Sequence, residues 1–179
     1  MLSFNREDAA QVLYSPNLVD TREYVNLTRF NGYYILNHNF KFSTDINYLS
    51  ISDGNNGHRI NLRLGKFFFP SVLIGYEYEN SNYLFVSNKY YSPQDYASHS
   101  LFGDFDVYKS NNKLSSITVG GKIGLITNSS YVIRQLYSSF NWDIVQNLTL
   151  QGNLAYGSTY QTTVSYSSFS AYFGLYWNL

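Results

Sequence analysis

The chain has no cysteine, which excludes disulfide staples and thiolate metal sites. Charge is scarce: Lys, Arg, Asp and Glu make up 13% of the 179 residues, against about 25% in an ordinary soluble domain. Neither sign is in excess, because 12 basic and 12 acidic side chains give a formal net charge of zero. A nucleic-acid partner and an acidic disordered tail are therefore not expected. There is no run of about 18 apolar residues, so a transmembrane helix is excluded. The opening Met1-Leu2-Ser3-Phe4-Asn5-Arg6-Glu7-Asp8 lacks the apolar stretch of a secretory leader. The expectation is that a leader has been removed, or that the chain is a domain of a longer protein. Helical periodicity is missing throughout.

What the chain does have is aromatic residues, 19% of the total with 19 Tyr and 13 Phe, and period-two alternation. In the segment 40–48, Phe40, Phe42, Ile46 and Tyr48 share one face, opposite Lys41, Ser43, Asp45 and Asn47. Ile60, Leu62 and Leu64 oppose Arg59, Asn61 and Arg63. Ile74, Tyr76 and Tyr78 oppose Gly75, Glu77 and Glu79. Ile117, Val119, Ile123 and Leu125 oppose Thr118, Gly120, Lys122 and Gly124. The alternation predicts ten strands, over 3–13, 21–36, 39–52, 58–69, 71–84, 97–109, 114–127, 132–145, 148–160 and 165–179. Short connections at Asn37-His38, Pro70, 110–113 and Gln146-Asn147 alternate with longer polar ones at 14–20, 53–57, 85–96, 128–131 and 161–164. Short turns at one end and longer loops at the other fit a transmembrane barrel.

The predicted fold is therefore all-β: a single domain over 1–179 that forms a transmembrane antiparallel up-and-down β-barrel of about ten strands. An even strand count puts both termini on the periplasmic side of a bacterial outer membrane. A soluble barrel would turn its apolar side chains inward, but three observations favour lipid. The polar face is unusually charged, with Lys41, Asp45, Arg59, Arg63, Glu77, Glu79, Asp104, Asp106, Lys122 and Asp143 as expected lumen residues. The apolar face carries almost no charge, as a Lys or Arg at mid-bilayer costs about 2–4 kcal/mol. Finally, Tyr33, Tyr34, Phe67, Phe68, Phe69, Tyr108, Trp142, Tyr176 and Trp177 collect near strand ends, where interfacial girdles form.

The last eight residues, Tyr172-Phe173-Gly174-Leu175-Tyr176-Trp177-Asn178-Leu179, resemble the terminal signal read by the outer-membrane barrel assembly machinery. Gly174, Trp177 and Leu179 match its Gly, aromatic and final apolar positions; Tyr172 stands where that signal has a polar residue. They also read as one more amphipathic strand.

No complete catalytic constellation is present. His38, His58 and His99 are not spaced as metal ligands on one strand, and ordinary surface roles are expected. Asp104-Phe105-Asp106 resembles the acidic pair of omptin-type outer-membrane proteases, but the accompanying Asp–His pair is missing. His99 and Ser100 are adjacent, so they point to opposite faces and cannot form a nucleophile–base pair. No enzyme, cofactor or metal is expected; Asp104 and Asp106 are expected to pair with Arg59, Arg63 or Lys122.

Two stretches resemble the C-terminal barrel of cellulose synthase operon protein C and related exopolysaccharide exporters. They are Ser3 to Asp8 and Tyr90-Tyr91-Ser92-Pro93-Gln94-Asp95-Tyr96-Ala97-Ser98, with Tyr14-Ser15-Pro16 as a shortened echo of the latter. The resemblance implies a barrel that passes polysaccharide through the outer membrane, with the lipid and the assembly machinery as its other partners. Tyr24 and Tyr137 are then candidate platforms for sugars. The family barrel is larger than ten strands, and a ten-stranded interior is narrow enough for side chains to fill. The alternative is a small plugged structural or adhesin-type barrel acting through its outside loops, 85–96 above all.

Overall fold

The computed structural model describes residues 1–13, 16–19, 22–110, 115–127, 129, 131–145, 147–161 and 164–177. Ten strands are present: β1 (Leu2–Asp8), β2 (Tyr24–Leu36), β3 (Phe40–Ile51), β4 (Asn56–Phe69), β5 (Val72–Tyr83), β6 (Tyr96–Lys109), β7 (Ser116–Ile126), β8 (Val132–Val145), β9 (Leu148–Gln161) and β10 (Val164–Trp177). They form one sheet in sequence order, β1 to β10. The resolved pairings are antiparallel, for example Thr28↔Tyr48, Val119↔Ser138, Ser138↔Leu154 and Phe173↔Gly152. The all-β up-and-down architecture is the expected one, and nine of the ten strands fall where the alternation puts them.

The exception is the first. The span 3–13 is not a single strand: β1 stops at Asp8 and a short helix α1 (Ala9–Leu13) follows. Ala, Gln and Leu favour helix, and Ala9, Val12 and Leu13 stand at i, i+3 and i+4 on one helical face. That face is the buried one: Ala9 and Leu13 are core residues and Val12 packs against them. One helical turn is too short for a periodicity search tuned to longer windows. A 3-10 turn (Pro16–Leu18) comes next.

The alternation of loop lengths holds only in part. The connection between β5 and β6 is long, but that between β3 and β4 is a tight turn around Gly54, at φ 90. The connection 110–115, expected to be short, is longer than that turn. At the β2–β3 turn, Asn37 and His38 both have positive φ, 50 and 55, and Asn39 N–H donates to Leu36 O at 3.1 Å. This is the mirror-image turn whose twist suits a two-residue hairpin.

The chain comprises two compact units. The first holds Met1–Leu64, Glu77–His99 and Ile126–Ser129; the second holds Gly65–Tyr76, Ser100–Leu125 and Ser130–Leu179. The first has the apolar core, in which Ala9, Leu13, Leu18, Val25, Leu27, Leu49, Ile51, Tyr83 and Tyr90 are buried together.

In the second unit Leu73, Phe102 and Ile133 are buried, and aromatic rings cover glycines. Gly152 on β9 lies between Phe140 and Phe173, its partners on β8 and β10, and the two rings tilt toward each other with centroids 6.0 Å apart. On β7, the Tyr137 ring lies across Gly120 so that its hydroxyl reaches Asp104 Oδ1, at 2.5 Å. A Cβ at residue 120 would collide with that ring and sit 2.7 Å from the same carboxylate oxygen. Gly120→Val is expected to cost about 1–3 kcal/mol through overpacking, whereas Gly103→Ala, where a Cβ meets nothing within 4 Å, should be nearly silent. Urea-unfolding midpoints of the two variants test this contrast.

Candidate functional site

In the first unit, one strand face carries a line of charged and amide groups. On β2 and β3, Arg29 Nε donates to Asn47 Oδ1 at 2.7 Å, and Asn47 Nδ2 donates in turn to Asp45. Lys41 Nζ stands 5.5 Å from the Tyr33 ring centroid. On β4, Arg59 Nε donates to Tyr83 Oη at 2.8 Å, and Asn61 Nδ2 donates to Glu79 Oε1 at 3.2 Å. The other Glu79 oxygen accepts from Ser98 Oγ at 3.3 Å. Arg63 and Glu77 form an ion pair at 3.1 Å, with the Glu77 side chain only 6% exposed. Register places these partners directly: side chains two residues apart share a face, so Arg59, Asn61 and Arg63 present a polar comb.

The second unit repeats the arrangement with hydroxyl partners. Asp104 accepts from Tyr137, Asp106 from Thr118 Oγ1 at 2.7 Å, and Asp143 from Thr149 Oγ1 at 2.9 Å. Lys122 is half-buried on β7. Hydroxyl donors had not been expected, because a Thr or Tyr on a strand is equally good packing material. Arg59, for its part, meets a phenol where a carboxylate was expected.

The opposite faces are apolar and exposed. In the first unit these include Phe40, Phe42, Ile46 and Tyr48; in the second, Leu101, Phe105, Val119, Ile123, Leu136, Phe173, Leu175 and Trp177. Isolated exposed apolar residues are ordinary, but whole strand faces of them are not. Charges on the more buried face and hydrocarbon on the exposed one invert the pattern of a soluble barrel.

Several expectations about individual aromatics need correction. Tyr33 and Tyr34 are neighbours on a strand and cannot share a face: Tyr34 pairs with Phe42 on the apolar side, while Tyr33 joins Lys41. Tyr176 likewise parts from Trp177 and hydrogen-bonds Tyr172, hydroxyl to hydroxyl, at 2.7 Å. Neither sugar platform stands free on the charged face. Tyr137 is committed to Gly120 and Asp104, and Tyr24 alternates onto the other face, where the Arg6 guanidinium lies 4.2 Å from its ring centroid. Of the terminal signal, Gly174 is in β10 and Trp177 ends it, highly exposed and paired with Leu148. Leu179 lies outside the described residues, as do Tyr14 and Ser15 of the shortened echo.

A cover was not foreseen. At the loop end of the first unit the charged face turns apolar, through Val25 and Leu27 on β2 and Leu49 and Ile51 on β3. Ala9, Val12 and Leu13 of α1, and Leu18 of the 3-10 turn, pack onto these side chains, together with Tyr83 and Tyr90. The connection 84–95 is tied down beside it. Asn55, fully buried, donates Nδ2 to Phe85 O and to Tyr90 Oη, each at 2.9 Å, and its Oδ1 accepts from Phe85 N–H at 3.2 Å. Tyr90 Oη donates to Asp53 Oδ2 at 2.8 Å, and burial pushes the phenol's pKa above its ordinary value. Lys89 Nζ pairs with Glu23 at 2.5 Å, and that hydrogen bond raises the ammonium's pKa. The signals for this cover are the helical spacing of Ala9, Val12 and Leu13 and the Asp53-Gly54-Asn55 turn.

Fold and face polarity together define the class, an all-β up-and-down antiparallel sheet of the β-barrel type that exposes apolar strand faces. Among solved structures the chain is similar to a "Bacterial polysaccharide outer membrane secretin", with a TM-score of 0.60 and 13% identity over 88% of this chain and 56% of that one. At that identity the likeness is one of fold, and the chain spans little more than half the length of its neighbour. No protein-family model matches the chain, and no curated protein matches it.

Proposed function

We propose that the chain is the barrel of a polysaccharide-export system, whose charged face guides a hydroxyl-rich polymer through the outer membrane. The observation that carries this reading is the polar comb. Arg63 is ion-paired with Glu77, Asn61 donates to Glu79 and Arg29 donates to Asn47. A passing sugar hydroxyl can exchange with any of these bonds without stranding a charge, and binding stays weak enough for onward movement. The likeness in fold to a polysaccharide secretin supports the same reading. Within it, Gly174 and Trp177 act as the assembly signal. Removing the gene for this chain is expected to abolish extracellular polysaccharide and leave polymer in the periplasm, with both effects reversed on resupply. Unchanged extracellular polymer would rule out export.

The cover over Val25, Leu27, Leu49 and Ile51 favours a second reading, a plugged barrel that acts through its outside loops. Ion conductance separates the two, as developed in the Discussion.

A further inference from the structure

We propose that a cleft at the loop end of the first unit is a binding site for a saccharide without acidic groups. Its lining includes Tyr48, Asn56, His58, Asn82, Gln94 and Asp95, and its volume is about 490 Å³. That falls within the range of about 300–1,000 Å³ occupied by small-ligand sites. It is distinct from the charged face of the export reading and does not depend on it.

The chemistry of the lining selects the ligand. Tyr48 is 53% exposed, so its ring face is available to stack on the apolar face of a pyranose. Around it stand planar amides whose orientation is already fixed by one bond each. Asn82 Oδ1 accepts from Asp95 N–H at 3.2 Å, leaving its amide N–H groups to donate. Gln94 Nε2 donates to Leu84 O at 3.0 Å, leaving Oε1 to accept. His58 Nε2 bonds Asn80 Oδ1 at 2.9 Å, leaving Nδ1. The Asn56 side chain and the Asp95 carboxylate form no hydrogen bond or ion pair with the described residues. Donors and acceptors held beside one aromatic ring suit vicinal hydroxyls, which need both.

Charge narrows the class further. Asp95 is the one formally charged residue in the lining, and no Lys or Arg accompanies it. A uronate, sulfate or phosphate would meet an unscreened carboxylate there. A neutral sugar would not, and an amino sugar would gain an ion pair. Asp95 has φ 55, a left-handed conformation that Asp tolerates better than most residues, and its N–H bond to Asn82 fixes the carboxylate at the rim.

The sugar has two possible sources. Tyr48 belongs to the apolar face of β3, so the site borders the membrane surface, where a glycolipid headgroup would be within reach. A soluble polysaccharide chain presents the same hydroxyls. The test uses the full chain refolded in a detergent without a sugar headgroup. Calorimetric titration compares a neutral gluco-oligosaccharide, a glucosamine oligomer and an oligogalacturonate, then vesicles carrying a glycolipid with a neutral sugar headgroup. Saturable binding of the neutral or amino sugar is expected, with Kd raised about tenfold by Tyr48→Ala, equivalent to about 1.4 kcal/mol. Asn56→Ala is a second probe: its side chain makes no bond that folding would lose, and it too should weaken binding. Response to the soluble sugars assigns the site to a polymer, and response to the glycolipid alone assigns it to the leaflet. The site is overturned by no saturable binding in any arm, by unchanged affinity in both variants, or by preference for the oligogalacturonate. None of these outcomes alters the fate of exported polymer when the gene is removed, so the two proposals fail separately.

Discussion

Val119→Arg is expected to destabilise the bilayer-inserted chain by about 2–4 kcal/mol, the cost of a cation at mid-membrane on the lipid face of a β-barrel. The residue would hardly matter in a soluble protein. Val119 lies near the middle of β7, is exposed, and pairs across the ladder with Ser138. An exposed change away from packed features in water is ordinarily worth within about ±0.5 kcal/mol. The size of the effect thus reports what the exposed face touches. Arginine is chosen because its guanidinium cannot be neutralised, and mid-strand placement limits its reach toward the interface. Urea unfolding in lipid vesicles, followed by Trp142 and Trp177 emission, provides the measurement, with Val119→Leu as control. A shift in Val119→Arg no larger than in the control would mean that β7 does not face hydrocarbon.

The strands from β2 to β10 were legible because each is long and largely alternating. Over 132–145 the expected boundaries coincide with β8, where Leu136, Phe140, Trp142 and Ile144 stand on one face. The polar comb was equally readable: once Arg59 and Arg63 are placed on one face, Asn61 must stand between them. What alternation could not supply is the identity of the cross-strand partner. Glu77 meets Arg63, whereas Asp106 meets Thr118, and the choice depends on register, which sequence periodicity leaves open. The aromatics expected in girdles do lie near strand ends, but position along a strand does not say which face a ring takes. Adjacent residues such as Tyr33 and Tyr34 are separated by the thickness of the sheet, however close they are in sequence.

The cover was hidden by a different effect. Ala9 to Leu18 contains one helical turn and one 3-10 turn, both too short to be stable alone, and their structure depends on docking to Val25, Leu27, Leu49 and Ile51. Those four residues extend the alternation of β2 and β3 but reverse its polarity at one end, with Leu49 and Ile51 continuing the face of Lys41 and Asp45. Such a reversal signals that something apolar covers the strand ends. Asn55 gives a comparable hint only in retrospect: an Asn after Asp53-Gly54 is ordinary turn chemistry until it proves fully buried and bonded to Phe85 and Tyr90.

Whether that cover obstructs passage can be measured, and Leu18→Asp is expected to have the second large effect. Leu18 is 1% exposed in the apolar cluster. Truncating a buried leucine alone costs about 2–5 kcal/mol, and a carboxylate placed there lacks any cationic neighbour in the cluster. α1 and the 3-10 turn lie outside the strand pairings, so the energy is expected to appear as release of the cover and not as global unfolding. Protease cleavage within 9–18 should accelerate while the strands remain folded. The reading then turns on planar-bilayer current. If the charged face guides polymer, wild type should conduct weakly and Leu18→Asp severalfold more. If wild type already conducts as well as the variant, the cover is no obstruction. If the variant stays silent after its cover is demonstrably released, side chains along the polar comb must themselves close the path, as Arg63 with Glu77 and Asn61 with Glu79 are placed to do. That last outcome would favour a barrel that acts through its loops, and the connection 84–95, anchored by Asn55 and Tyr90, would be the part built to do so.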